Sequence, residues 1–277
     1  MTTVGVALGG GGAKGLAHLP LLEVFDDLGI RPTRIAGTSV GAIVGTLYAS
    51  GLSARQMRTE IDELTRTPRS LKEWFEAKRL PGWFDLIDIE FGRSSLFQID
   101  KFLDEMEKVI GVSDFEQLQI PLEVVASDFW KRSQVVFGSG PIIPAVAASF
   151  ALPGIFKPVV QGDRVLVDGG SVNPVPYDLL LEDCDVVVAI DVSGQRRPGE
   201  DLLPSYTETI FNTFQISAQA ILAEKIRANP PTIFIKPEIE DVKVLDFHKA
   251  DEVYAQTGEA REQLARELAA VLERSSG

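Results

Sequence analysis

Apolar positions along the chain alternate between two patterns. Short, nearly continuous apolar runs occur at Val4 to Leu8, Arg34 to Ala36, Leu122 to Ser127, Gln134 to Phe137, Val159-Val160, Arg164 to Val167, Asp185 to Asp191 and Thr232 to Ile235, and they predict strands. Between them the spacing turns helical. Leu16, Leu19, Leu22 and Phe25 recur at three-residue steps until Gly29 and Pro32 stop them, which predicts strand, glycine loop and helix as the first half of a βαβ unit. Val40 to Ala49 predicts a small-residue helix ending at Gly51, and Ser53 caps a polar helix running to about Thr65. Further helices are predicted over Gln98 to Ile110, from Pro141 through Ala145 to Ala148, over Tyr206 to Ala228 and over Ala250 to Arg274.

Two stretches fit neither pattern. From Thr67 to Leu96, the residues Trp74, Phe75, Trp83, Phe84, Leu86, Ile87, Ile89 and Phe91 crowd among prolines and glycines. Such a segment suits a lid, a surface touching lipid, or an excursion packed on the core. The stretch from Gly194 to Pro204 reads as an exposed polar loop. There is no internal repeat and little that resembles a linker, so one domain is expected over residues 1–277. Its motif-bearing core covers about 4–192, with the strand and helices of 205–277 packed on it.

Composition narrows the function. The 277 residues carry a net charge of −13, which disfavours non-specific binding to nucleic acid or to a strongly anionic membrane. The single cysteine, Cys184, excludes an internal disulfide and any multi-cysteine metal site. The N-terminus lacks the basic segment and apolar core of a secretory signal. The apolar stretch Ile142 to Phe156 is broken by Pro144 and Pro153 and is too short to span a bilayer. A cytoplasmic protein is expected, with peripheral lipid contact left open.

Candidate chemistry begins where the second predicted strand meets the second predicted helix. Gly37-Thr38-Ser39-Val40-Gly41 spells a nucleophile elbow, a sharp turn that pushes a serine hydroxyl into the open. Upstream, Gly9-Gly10-Gly11-Gly12-Ala13-Lys14-Gly15 exposes backbone amides that can point together at an anion. Gly10-x-Gly12-x-x-Gly15 fits a dinucleotide fingerprint, but the second strand supplies no ribose-binding carboxylate. The phosphate-loop spelling fails because Gly15 follows Lys14. An oxyanion hole serving Ser39 is the remaining reading.

His18, one turn past the loop, reads as a packing or capping residue rather than the serine's base. Downstream, Asp168-Gly169-Gly170 sets a carboxylate at a strand end. That is where open parallel sheets place functional groups, and also where an ordinary Asx turn forms.

In this order, the glycine loop, the elbow and the Asp168-Gly169-Gly170 turn resemble the patatin-like phospholipase family, and Ala148-Ser149-Phe150-Ala151-Leu152-Pro153-Gly154-Ile155-Phe156-Lys157-Pro158-Val159 is similar to that family's block before the aspartate strand. The resemblance implies a three-layer α/β/α fold with a mainly parallel central sheet. It implies a lipid acyl hydrolase working through an acyl-serine intermediate with a Ser-Asp dyad. Ser39 would be the nucleophile, Asp168 the base, and the amides of Gly10, Gly11, Gly12 and Val40 the oxyanion donors, with no metal or organic cofactor. Lys14 departs from the family's more frequent arginine and cannot repeat a guanidinium's paired contacts. A dyad also requires that Asp168 sit in a partly dry pocket, where desolvation raises its proton affinity.

Three rivals stand beside this reading. The chain order Ser39, Asp168, His248 allows a triad hydrolase, although charged neighbours mark His248 as a surface residue. A patatin-fold scaffold that binds an acyl chain or a protein partner is the second. A nucleotide-binding protein is the third.

Overall fold

A computed structural model gives the fold over residues 2–66, 96–195, 203 and 206–276. β1 (Val4–Leu8) is buried along its whole length, and a 3₁₀ turn over Gly12–Ala17 leads from it into α1 (His18–Asp27). β2 (Arg34–Thr38) follows beside β1 and parallel to it, completing the expected βαβ unit. α2 (Val40–Ala49), α3 (Ala54–Arg66) and α4 (Leu96–Ile110) come next, then β3 (Leu122–Asp128), β4 (Ser133–Phe137) and α5 (Ile142–Ser149). β5 (Val159–Gln161) and β6 (Arg164–Asp168) form a hairpin across the Gly162-Asp163 turn. β7 (Val186–Ile190), α6 (Tyr206–Ala228), β8 (Ile233–Ile235), α7 (Ala250–Ala255) and α8 (Gly258–Ser276) complete the described elements.

The strands form one mixed sheet in the order β5-β6-β3-β2-β1-β7-β8, with β4 also on β3. β3, β2, β1, β7 and β8 are mutually parallel, while β4 and β6 run antiparallel to β3. Both faces of the sheet are covered, which is why its central strands read as continuous apolar runs. On one face Val6, Leu8, Ile35, Val188 and Ile190 pack with Leu22 and Phe25 of α1, Val44 of α2, and Leu264 and Leu268 of α8. On the other, Ala7, Ala36 and Ala189 leave room for Tyr177, Leu180 and Leu222 of α6. The result is a three-layer α/β/α arrangement.

The closing helix is interrupted between α7 and α8, because the Thr257 hydroxyl donates to the Tyr254 carbonyl and the Gln256 side chain is spent on the backbone of Glu240. The aromatic segment from Thr67 lies outside the described residues as far as Ser95, and so does most of the polar loop after Gly194.

Candidate active site

β2 ends at Thr38 and α2 begins at Val40, so the reversal between them falls on Ser39, at φ 57° and ψ −125°. For a residue with a Cβ that conformation costs about 1–3 kcal/mol and persists only when its surroundings impose it. Here they do. A Cβ on Gly41 would stand 2.1 Å from the Leu8 carbonyl oxygen, and one on Gly37 would stand 2.7 Å from Ala42 Cα, so the two glycines let strand and helix close on the turn. The Ser39 N–H donates to Ser149 Oγ at 2.8 Å, and the Ser39 carbonyl accepts from the amides of Ala42 and Ile43.

Asp168 ends β6. Its Oδ2 accepts from Ser39 Oγ at 2.6 Å, and its Oδ1 accepts from the Gly170 N–H at 2.8 Å. The turn reading of this aspartate accounts for Oδ1, and Oδ2 is left to face the Ser39 hydroxyl. The backbone is fixed as well, since Asp168 N–H donates to the Ala151 carbonyl and the Asp168 carbonyl accepts from Ser127 Oγ. Ser39 is 6% exposed and Asp168 1%. Burial pushes the Asp168 carboxyl up to about 6, against the opposing pull of the hydrogen bonds from Ser39 and Gly170.

The glycine loop passes directly over the serine. A Cβ built on Gly10 would lie 3.2 Å from Ser39 Cβ and 3.9 Å from Oγ. One expected donor is nevertheless already engaged: the Gly10 N–H donates to the Pro174 carbonyl at 3.0 Å, as the Gly9 N–H does to Ile190. Gly10 therefore serves close approach rather than anion binding, because an amide turned toward one carbonyl is turned away from a second. Among the described residues the amides of Gly11, Gly12 and Val40 have no acceptor, and Val40 opens α2, where the helix dipole favours negative charge. Gly15 packs the loop onto the elbow, since a Cβ there would meet Val40 Cγ1 at 2.2 Å, and one on Gly169 would meet the Val125 carbonyl oxygen at 2.2 Å.

Neither histidine is bonded to the pair. His18 is fully buried at the start of α1, and its Nε2–H donates to the Gly9 carbonyl at 2.8 Å. Burial holds it down at about 4, so the ring is neutral near pH 7, and its Nδ1 has no partner among the described residues. His248 is exposed, in a 3₁₀ turn over Phe247–Lys249. Supporting residues that the sequence did not single out are Ser149, Ser127 and Asn173, whose carbonyl accepts from Thr38 Oγ1 at 2.8 Å. Only Ser149 carried a signal, as part of the block similar to the patatin-like family. No helix among the described residues is long and apolar enough to cross a membrane.

An uncharacterized NTE family protein of Mycobacterium tuberculosis is 30% identical over 220 residues, which cover 79% of this chain and 57% of that protein. Lysophospholipase NTE1 of Kluyveromyces lactis is 27% identical over 275 residues, 91% of this chain and 18% of the yeast protein. The chain thus spans little more than half the length of the first relative and under a fifth of the second. Among solved structures, VipD from Legionella pneumophila aligns at a TM-score of 0.48 and 15% identity over 94% of this chain and 67% of that one. Residues 6–181 match the patatin-like phospholipase model, which takes in the glycine loop, the elbow and the aspartate turn, and the chain belongs to that family.

Proposed function

We propose that this chain is a serine acyl hydrolase that cleaves carboxylic esters of lipids, of the phospholipid or lysophospholipid class, through an acyl-Ser39 intermediate. One observation carries the reading: the 2.6 Å hydrogen bond from Ser39 Oγ to a buried carboxylate that has no histidine between. As Oγ attacks the ester carbonyl, its proton passes to Asp168 Oδ2, and the amides of Gly11, Gly12 and Val40 take up the charge on the carbonyl oxygen. The proton then returns from Asp168 to the departing alcohol. Water, activated by the same carboxylate, releases the acid and restores Ser39.

Two further facts support it. A carboxyl raised to about 6 is a stronger base than a solvated one, yet it is ionised at neutral pH. The name of the yeast relative, lysophospholipase, points to the substrate class. The direct bond favours a dyad over the triad, and turnover is expected to survive His248→Ala.

The test is a fluorophosphonate probe followed by peptide mass spectrometry, alongside turnover of lysophosphatidylcholine. Labelling confined to Ser39, with turnover lost in Ser39→Ala, is the expected outcome. Folded wild type that takes no label would remove the enzymatic reading and leave a binding scaffold.

A further inference from the structure

The sheet extends past the site. β3 is parallel to β2 and pairs Val125 with Thr38, so the residues of β3 after Ala126 project beyond the end of β2. β4, β6 and β5 accompany them as an antiparallel ribbon. At its outer end stand Phe129 and Trp130, 52% and 73% exposed, with ring centroids 4.9 Å apart in an edge-on pair. Val160, 72% exposed, belongs to the same end, because Phe129 N–H donates to the Val165 carbonyl and Val165 pairs with Val160. Two residues at about 3.3 Å each put Asp128, where the strand gives way to the turn, roughly 7 Å beyond the row in which Ala126 pairs with Asp168.

The rings are held out by a built turn. Asp128 is buried, its Oδ1 accepts from the amides of Trp130 at 3.1 Å and Lys131 at 2.9 Å, and its carbonyl accepts from Arg132 at 2.8 Å. Arg132 is driven to φ 54° to close it. Two large rings presented to water on a fixed backbone form an apolar surface with no partner among the described residues.

The surrounding charge says what kind of partner fits. Lys131, Arg132 and Arg164 are exposed and have no carboxylate partner among the described residues, in a chain whose net charge is −13. Of the carboxylates on this turn and its neighbouring hairpin, Asp128 is buried in the turn itself and Asp163 is exposed. Rings flanked by exposed cations suit the boundary of a phospholipid bilayer, where indole sits among headgroups and cations meet phosphates.

We propose that the Phe129–Arg132 turn is a membrane-docking element: Phe129 and Trp130 enter the headgroup layer, and Lys131, Arg132 and Arg164 contact lipid phosphates. The ribbon then holds Ser39 beside the lipid it cleaves, which rests on the acyl-hydrolase reading above. Insertion of rings rather than a charged contact alone also reconciles docking with the acidic net charge.

The test reads binding alone, so it stands apart from hydrolysis. Ser39→Ala protein is sedimented with vesicles of phosphatidylcholine containing phosphatidylglycerol, and compared with the same protein carrying Phe129→Ala and Trp130→Ala, or Lys131→Gln and Arg132→Gln. The parent is expected to pellet with the vesicles. Loss of both rings should lower its partition coefficient by at least about tenfold, given the free energy of burying aromatic surface. Loss of the two cations should lower it by about tenfold. These side chains are exposed, and matching thermal melts verify that each variant is folded. A parent that stays in the supernatant would overturn the proposal and turn the patch over to a protein partner. A ring-less variant that pellets as well as the parent would overturn it too.

Discussion

Ser39 and Asp168 meet because two strands end against each other along one edge of β3. β4 occupies the other edge from Val124 to Asp128, so β2 and β6 share the remaining one: Thr38 stands opposite Val125, and Asp168 opposite the next residue, Ala126. β2 runs with β3 and β6 against it, so their C-terminal ends abut. Serine hydroxyl and carboxylate thus inherit the spacing of adjacent residues on a buried strand. Asp168→Asn keeps this shape but cannot accept the proton, and kcat should fall about 10²- to 10⁴-fold with little change in melting temperature at acid pH. The Ser39→Ala, Asp168→Asn double variant should be no slower than Ser39→Ala, since residues acting as a unit are not additive. Ester turnover of the three proteins checks this, and two multiplying losses would separate the residues.

Two buried groups pull stability in opposite directions with pH. Burial raises Asp168 from 3.8 to about 6 and lowers His18 from 6.5 to about 4. Between these limits folded Asp168 keeps a proton that the unfolded chain has lost, so its contribution is present at low pH and disappears as pH rises through about 6. For His18 the unfolded chain is protonated and the folded chain is not. Its contribution is present above 6.5 and is lost as pH falls toward about 4. Each amounts to something on the order of 3 kcal/mol, so the two slopes largely offset. Relative to wild type, Asp168→Asn should gain stability as pH rises from about 4 to 6.5, and His18→Gln should lose it. Urea midpoints across that range read both signs. Turnover should meanwhile rise through about pH 6 as Asp168 ionises.

What the sequence disclosed follows from how local each constraint is. The elbow was legible because Gly37 and Gly41 are demanded by atoms within a few residues or on the adjacent strand. Asp168 was legible as a turn former, but the bond to Ser39 depends on β6 pairing with the second half of β3, and no local pattern records that register. The acceptor already held by the Gly10 amide was illegible for the same reason. A glycine-rich loop shows that amides are exposed to partners, while the partner of this one, the Pro174 carbonyl, comes from a distant bend. The break between α7 and α8 was hidden because Gln256 and Thr257 fit a helical pattern until their side chains find backbone partners.

The reassigned role of Gly10 separates two substitutions that look alike. In Gly10→Ala the new methyl meets Ser39 Cβ at 3.2 Å and the Thr38 carbonyl oxygen at 3.6 Å, contacts that a small shift of the loop relieves. The protein should fold, with stability lowered by about 1 kcal/mol, while fluorophosphonate labelling slows because the methyl crowds the attacking hydroxyl. In Gly41→Ala the methyl meets the Leu8 carbonyl oxygen at 2.1 Å and that of Gly9 at 2.8 Å, both backbone. Strand and helix must then move apart, at a cost of about 3 kcal/mol or more. Thermal melts together with labelling rates distinguish the two. Equal loss of stability would return Gly10 to the structural role that Gly41 has.

Ser149 provides the last test, of what keeps the nucleophile in its strained turn. Its hydroxyl accepts the Ser39 N–H at 2.8 Å in a fully buried position, so Ser149→Ala leaves that amide without an acceptor. An unpaired buried donor costs about 1–3 kcal/mol. Part of that returns if Ser39 abandons φ 57°, since the conformation itself stores about 1–3 kcal/mol. The fall in stability should therefore be modest, while fluorophosphonate labelling falls disproportionately, because a relaxed turn moves Oγ away from Asp168 and from the amides of Gly11, Gly12 and Val40. Both are measured well below the melting temperature, so that unfolding does not contribute. A variant that melts earlier yet labels at the wild-type rate would reduce Ser149 to a packing contact and leave the elbow held by its glycines alone.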